Sequence, residues 1–95
     1  MNKLHKSYES WRREKLKNPK FRKAYYDYDL TAKLAAQIST LRKKRGMTQS
    51  QLARRAKTVQ EVISRLETTA RPGITLNTLW RVAHALDRRL DIRFL

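Results

Sequence analysis

Apolar residues recur at helical spacing in four stretches of the chain and at strand spacing in a fifth. Leu34, Ile38 and Leu41 stand at i, i+4 and i+7, which predicts an amphipathic helix from Thr31 to about Arg45 with Gly46 as its stop. Leu52, Ala53 and Ala56 form a short second face, and Val62, Ile63 and Leu66 a third. Lys57-Thr58-Val59 breaks the pattern between them. Leu76, Leu79, Ala83 and Leu86 make a fourth stripe, and with Val82 they complete the expected core. The tail Leu90-Asp91-Ile92-Arg93-Phe94 alternates with period two, which predicts a strand.

Caps sharpen these boundaries. Thr48 offers a hydroxyl and Gln51 follows three residues on, a capping box that starts a helix over about residues 49–56. A third helix runs from Val59 or Gln60 to Glu67, and Thr75 caps a fourth. The second and third are far shorter than the roughly 12–15 residues an isolated helix needs in water, so they persist only when packed together. Helix, three-residue turn, helix, supported before and after, is a helix-turn-helix. Such a corner lets its second helix protrude into a major groove about 12 Å wide while the first braces it. The expected fold is all-α: a helix-turn-helix domain of four to five helices, a helical N-terminal arm and a short C-terminal dimerising β-strand.

Charge gives that corner a partner. The 95 residues hold 23 Lys+Arg against 8 Asp+Glu, a formal net charge of +15, which draws the chain to a polyanion. Residues 31–70 carry nine basic and two acidic groups, with Arg42-Lys43-Lys44-Arg45, Arg54, Arg55 and Lys57 forming a rim suited to phosphates. On the outer face of the third helix Gln60, Glu61, Ser64 and Arg65 oppose Ile63 and Leu66. Gln pairs with adenine and Arg with guanine, so this face can read bases.

Composition shifts near Leu30. Residues 1–30 hold six of the eight aromatics among nine basic and four acidic groups. Asn18-Pro19 is a helix start, followed by Phe21, Tyr25 and Tyr28 on one stripe, with Leu4, Tyr8 and Trp11 a weaker one before it. The expected organisation is an arm over 1–30, a DNA-binding domain over 31–87 and a dimerising tail over 88–95.

LRKKRGMTQSQLARRA, QEVISRLE and TLNTLWRVAHAL resemble the XRE/Cro-type helix-turn-helix family over roughly residues 31–86. The flanks SYESWRREKLKNPKFRKAYYDYDL and RRLDIRFL resemble the HigA-type antitoxins of bacterial toxin–antitoxin operons. The resemblance implies a homodimer on its own double-stranded operator DNA that also neutralises a HigB/RelE-like ribonuclease toxin. It also implies a phosphate contact at Gln49 and an ion pair between Arg42 and Glu67. The DNA-facing set is then Thr48, Gln49, Lys57, Thr58, Gln60, Glu61, Ser64 and Arg65. Tyr8, Trp11, Phe21, Tyr25 and Tyr28 become the toxin contact, with Leu90, Ile92 and Phe94 the dimer contact. Two positions depart from the family: Lys57 stands where Gly is usual at the turn, and Val59 where Ser or Thr caps the next helix. Lys at φ > 0 costs about 1 kcal/mol. Thr58 is the alternative cap, with Glu61 closing its box and the helix starting one residue early. Trp80, beside the buried stripe of the fourth helix where the family commonly has a polar residue, is a further candidate for toxin contact.

Other classes find little support. His5 and His84 are isolated, there is no HExxH or phosphate-binding loop, and the carboxylates are scattered, so neither enzyme, metal nor cofactor is expected. Cysteine is absent. No apolar run approaches the roughly 20 residues of a membrane span, and the N-terminus lacks a signal-like apolar stretch; a cytoplasmic protein is expected. A stand-alone repressor, or a protein- or RNA-binding adaptor on the same scaffold, are the competing readings.

Overall fold

The computed structural model describes residues 3–68 and 73–95, with side chains from Ser7 onward. The side chains of Leu4 and His5 therefore lie outside the described residues. The chain is all-helical, with five helices and no strand among the described residues: α1 Lys3–Lys15, α2 Pro19–Lys44, α3 Gln49–Arg55, α4 Gln60–Thr68 and α5 Leu76–Ala85. It divides into two compact units, 1–30 and 31–95, each described by itself below.

In the first unit α1 ends at Lys15 and the chain turns through Leu16-Lys17-Asn18. The Asn18 side-chain oxygen accepts from the Lys20 N–H at 3.0 Å, and Pro19, which needs no amide partner, opens α2. The expected helix start at Thr31 is not there, because α2 runs unbroken from Pro19. No Gly, Pro or stop signal stands between Pro19 and Gly46, so the change in composition at Leu30 carries no break in the backbone.

In the second unit Ile38, Leu52, Ala53, Ala56, Ile63, Leu66, Val82, Ala85 and Leu86 form one buried core, flanked by Leu34, Leu41, Met47, Val62, Ile74 and Leu79. Burying side chains of this size stabilises by roughly 1.5–3 kcal/mol each for Leu, Ile or Val, and among the described residues no polar or charged residue is fully buried with them. Leu76, expected in the core, is 63% exposed. As the first residue of α5 it stands outside the stripe that Leu79, Val82, Ala85 and Leu86 turn inward.

Three helices of this unit end alike. Past α2, α3 and α5 the chain turns left-handed at Gly46 (φ 65°), Lys57 (φ 57°) and Asp87 (φ 54°). In each case the two N–H groups that follow fold back: Gly46 and Met47 to Lys43 and Arg42, Lys57 and Thr58 to Arg54 and Ala53, Asp87 and Arg88 to His84 and Ala83. This pairing satisfies carbonyls that a helix end leaves open. At the start of α3 the capping box forms in full: the Gln51 N–H reaches the Thr48 hydroxyl at 3.1 Å and the Thr48 N–H reaches the Gln51 side-chain oxygen at 2.8 Å. Thr75 caps α5 in the same sense, accepting from the Thr78 N–H at 3.1 Å.

Two expectations are corrected. α4 starts at Gln60, so Val59 occupies the cap position and the early start through Thr58 does not occur. Residues 88–95 carry no strand. A strand exists by pairing its backbone with another, and among the described residues of a single chain there is none for Leu90-Asp91-Ile92-Arg93-Phe94 to pair with. Leu90 is half-buried beside Leu34, Leu41, Leu79 and Leu86, while Ile92 and Phe94 are exposed.

Candidate nucleic-acid interface

α3 and α4 pack against each other, and α5 closes on α3. Ile63 and Leu66 hold α4 by its inner face, both fully buried. With Ile63 and Leu66 turned inward, Glu61, Ser64 and Arg65 lie on the opposite side of the helix and Gln60 at its edge. Gln60, Glu61 and Arg65 are accordingly exposed and Ser64 half-buried, so the structure brings the four onto one face. Gln60 is not loose on it: the Ser50 hydroxyl of α3 donates to its side-chain oxygen at 2.9 Å. Ser50 was not singled out from the sequence, since nothing in a Ser ten residues away marks it as a support.

Behind this face lies a network centred on Glu67. Arg42 donates to it twice, from Nε at 2.7 Å and Nη2 at 3.0 Å, and from Nη1 to the Met47 carbonyl at 2.8 Å. Gln49 Nε2 adds a longer bond to Glu67 at 3.4 Å. With side chains only 12% and 6% exposed, Arg42 and Glu67 fasten the end of α2 to the end of α4 and to the residue that starts α3. A planar guanidinium is suited to this, since its fork matches a carboxylate in two bonds. Burial pushes the Glu67 pKa up, but the hydrogen bonds from Arg42, Gln49 and Ser39 and the charge of Arg42 hold it below its ordinary value. Arg42 is raised in turn, chiefly by its hydrogen bond to Glu67. Arg42 is thereby withdrawn from the cationic rim in which the sequence also placed it.

The rest of the rim is on the surface. Lys43, Lys44, Arg45, Arg54, Arg55 and Lys57 are all exposed. Arg45 pairs with Asp87 at 2.6 Å, tying the ends of α2 and α5. Such an exposed pair contributes at most about 1 kcal/mol. Thr48 spends its hydroxyl on the cap of α3, and Thr58 sits half-buried in the turn beside the strained Lys57.

In the first unit the aromatics form a ladder. Tyr8 meets Trp11 at 6.0 Å, Trp11 meets Phe21 edge-on at 5.7 Å, Phe21 stacks on Tyr25 at 6.3 Å, and Tyr25 meets Tyr26 at 5.7 Å. Arg12 Nε donates to the Tyr25 hydroxyl at 3.1 Å, with its guanidinium 5.4 Å from that ring's centre. Phe21 and Tyr25 are half-buried; Tyr8, Trp11, Tyr26 and Tyr28 leave about half or more of their surface in water. Tyr26 was not in the expected contact set, and its ring is part of the ladder.

Among the described residues no group of His, Asp and Glu could hold a metal, and no helix is long and apolar enough to cross a membrane. Comparison with curated proteins and with solved structures gave no match. The helix-turn-helix family model matches residues 38–92, more than half of the chain, from the buried Ile38 of α2 through α5 and into the tail. A capped, short bracing helix, a left-handed turn and an outward polar helix ringed by cations are the working parts of the XRE-type helix-turn-helix family of DNA-binding regulators, and the chain belongs to it.

Proposed function

We propose that the chain is an antitoxin-type autorepressor, which binds operator DNA as a homodimer and neutralises a RelE-like ribonuclease through its N-terminal arm. The observation that carries the DNA half is the outward face of α4, where Gln60, Glu61, Ser64 and Arg65 stand among exposed Lys and Arg. Gln60 and Arg65 supply the donors and acceptors for base edges. Lys43, Lys44, Arg54, Arg55 and Lys57 supply the phosphate grip, with Gln49 and Thr58 at its margin. The symmetric reading follows from the tail: Ile92 and Phe94 are apolar and exposed, and a second copy would cover them. A two-fold dimer would set two copies of α4 about 34 Å apart, one turn of duplex.

The toxin half rests on the arm's half-exposed Tyr8 and Trp11, with Tyr28, beside Phe21 and Tyr25, and on the resemblance of residues 7–30 to the antitoxin arm. Aromatics of this kind are the usual anchors of protein interfaces. A stand-alone repressor is the second reading, favoured by the ladder itself, whose rings already bury part of one another. Co-expression with the product of the neighbouring gene separates the two: growth arrest by that product that the chain relieves supports the antitoxin, and growth unaffected by the chain despite soluble protein that shifts operator DNA supports the plain repressor. For the DNA half, a rim gripping roughly 6–10 phosphates predicts an affinity loss of about 10³–10⁵-fold between 50 and 200 mM salt. Affinity that ignores salt would refute the rim.

A further inference from the structure

A recess of the second unit is lined by Trp80, Arg81 and His84, which the DNA-facing surface does not use, together with Arg55 and Lys57 of the cationic rim. Where α3 ends, Arg55, Ala56 and Lys57 face Trp80, Arg81, His84 and Ala85 of α5 across a cleft of about 310 Å³. The buried Ala56 and Ala85 are small enough to leave the recess open. Trp80 lies 4.1 Å from the His84 ring, one helical turn away, with the planes at 45°. That contact covers only part of the indole, which remains 49% exposed. Arg81 is oriented by its own helix, Nη2 donating to the Thr78 hydroxyl at 3.2 Å.

The lining is chemically one-sided. It contains three permanent cations, one imidazole and one indole, and no carboxylate. An anion satisfies the cations, and a flat ring satisfies the uncovered indole. Duplex DNA offers phosphates but keeps its bases stacked inside, so it would leave the indole unused. The volume stands at the small end of ligand pockets, enough for one ring and its charged group. We propose that this cleft binds a small planar aromatic anion, a ring bearing a phosphate or a carboxylate, with the ring on Trp80 and the charge on Arg55, Lys57 and Arg81. The site needs neither the arm nor the outer face of α4, but it shares Arg55 and Lys57 with the phosphate rim, so the indole signal of Trp80 and not DNA affinity is its readout.

The test uses the full chain labelled with nitrogen-15. Trp80 and Trp11 give the two indole N–H signals, and Trp80→Phe identifies which is which. Adenosine monophosphate and benzoate are the ring-bearing probes; adenosine, inorganic phosphate and acetate are the controls. The expected result is a saturable shift of the Trp80 signal with at least one ring-bearing anion, with Trp11 unmoved and a midpoint at least tenfold below those of the controls. The tighter of the two probes names the anion, phosphate or carboxylate. Arg55→Gln with Lys57→Gln, both surface changes, should raise that midpoint tenfold or more while the remaining spectrum stays folded. The proposal is overturned if neither probe saturates, if inorganic phosphate or adenosine does as well, or if the double variant binds unchanged. A Trp80 signal that moves only with duplex DNA would place the cleft in the operator contact and would equally overturn it.

Discussion

Lys57 holds a backbone conformation that Gly46 holds without strain, and both end a helix by the same pair of folded-back N–H groups. An L side chain at φ near +57° costs about 1 kcal/mol. Lys57→Gly should therefore raise stability by somewhat less than that, since glycine also loosens the unfolded chain. A urea midpoint that rises with an unchanged m-value is the expected reading, and a fall would show that the Lys57 side chain does more than turn the chain. Asp87 shares the conformation but pairs with Arg45, so its substitution by Gly mixes two effects. Only the first of these three turns was readable as a glycine; Lys57 stood out through its family position, and nothing near Asp87 marks it. The Arg42–Glu67 pair also makes a residue-scale prediction. The folded-state pKa of Glu67 is depressed, so its contribution is present above the unfolded value of about 4.5 and is lost as pH falls through the lower folded value. Stability should drop below about pH 4.5 with a slope of up to about 1.4 kcal/mol per pH unit from this one proton. Glu67→Gln should be less stable at neutral pH and show an acid limb shallower by one proton; an identical limb would assign the proton elsewhere.

At the scale of elements, α3 and α4 were legible because each announces itself twice, by an apolar face and by a start signal: Thr48 with Gln51, and the break at Lys57-Thr58-Val59. Both halves of α2 were legible, from Asn18-Pro19 with the Phe21, Tyr25 and Tyr28 stripe and from Leu34, Ile38 and Leu41, but not their continuity, because the stripe changes face between Tyr28 and Leu34. The tail shows no strand in a single chain because alternation describes a side chain's surroundings, whereas a strand also needs a neighbour. The pairing of Ser50 with Gln60 was beyond any periodicity, because it joins two helices through a turn whose path had to be known first. It makes a prediction that distinguishes support from contact. Ser50→Ala frees the Gln60 amide without touching Arg65; if Gln60 reads a base, discrimination at that base should soften while affinity for random duplex stays the same. Arg65→Ala should cost about 1–3 kcal/mol on the true operator and little on random DNA. Equal losses on both DNAs would show that Arg65 grips phosphate and does not read bases.

At the scale of the whole molecule, the chain divides its chemistry by unit: the aromatic ladder within 1–30, and α4 with the aliphatic core within 31–95. If the two units serve two partners, their losses should be separable. Trp11 and Phe21 meet edge-on at 5.7 Å, so Trp11→Ala with Phe21→Ala removes the middle of the ladder and the candidate toxin anchor together. A buried aromatic anchor is commonly worth about 2 kcal/mol or more in binding, which is roughly thirtyfold in affinity. Among the described residues the core of 31–95 contains no residue of the arm, so the double variant should keep this unit folded and still shift operator DNA. It should fail to protect cells from the ribonuclease. Arg65→Ala should do the reverse, relieving repression while still protecting. A double variant that unfolds the whole chain would show that the ladder is structural cement. One that folds, binds DNA and still protects would move the toxin contact off the ladder, and the exposed Tyr28 and Ile92-Arg93-Phe94 would be the next surfaces to change.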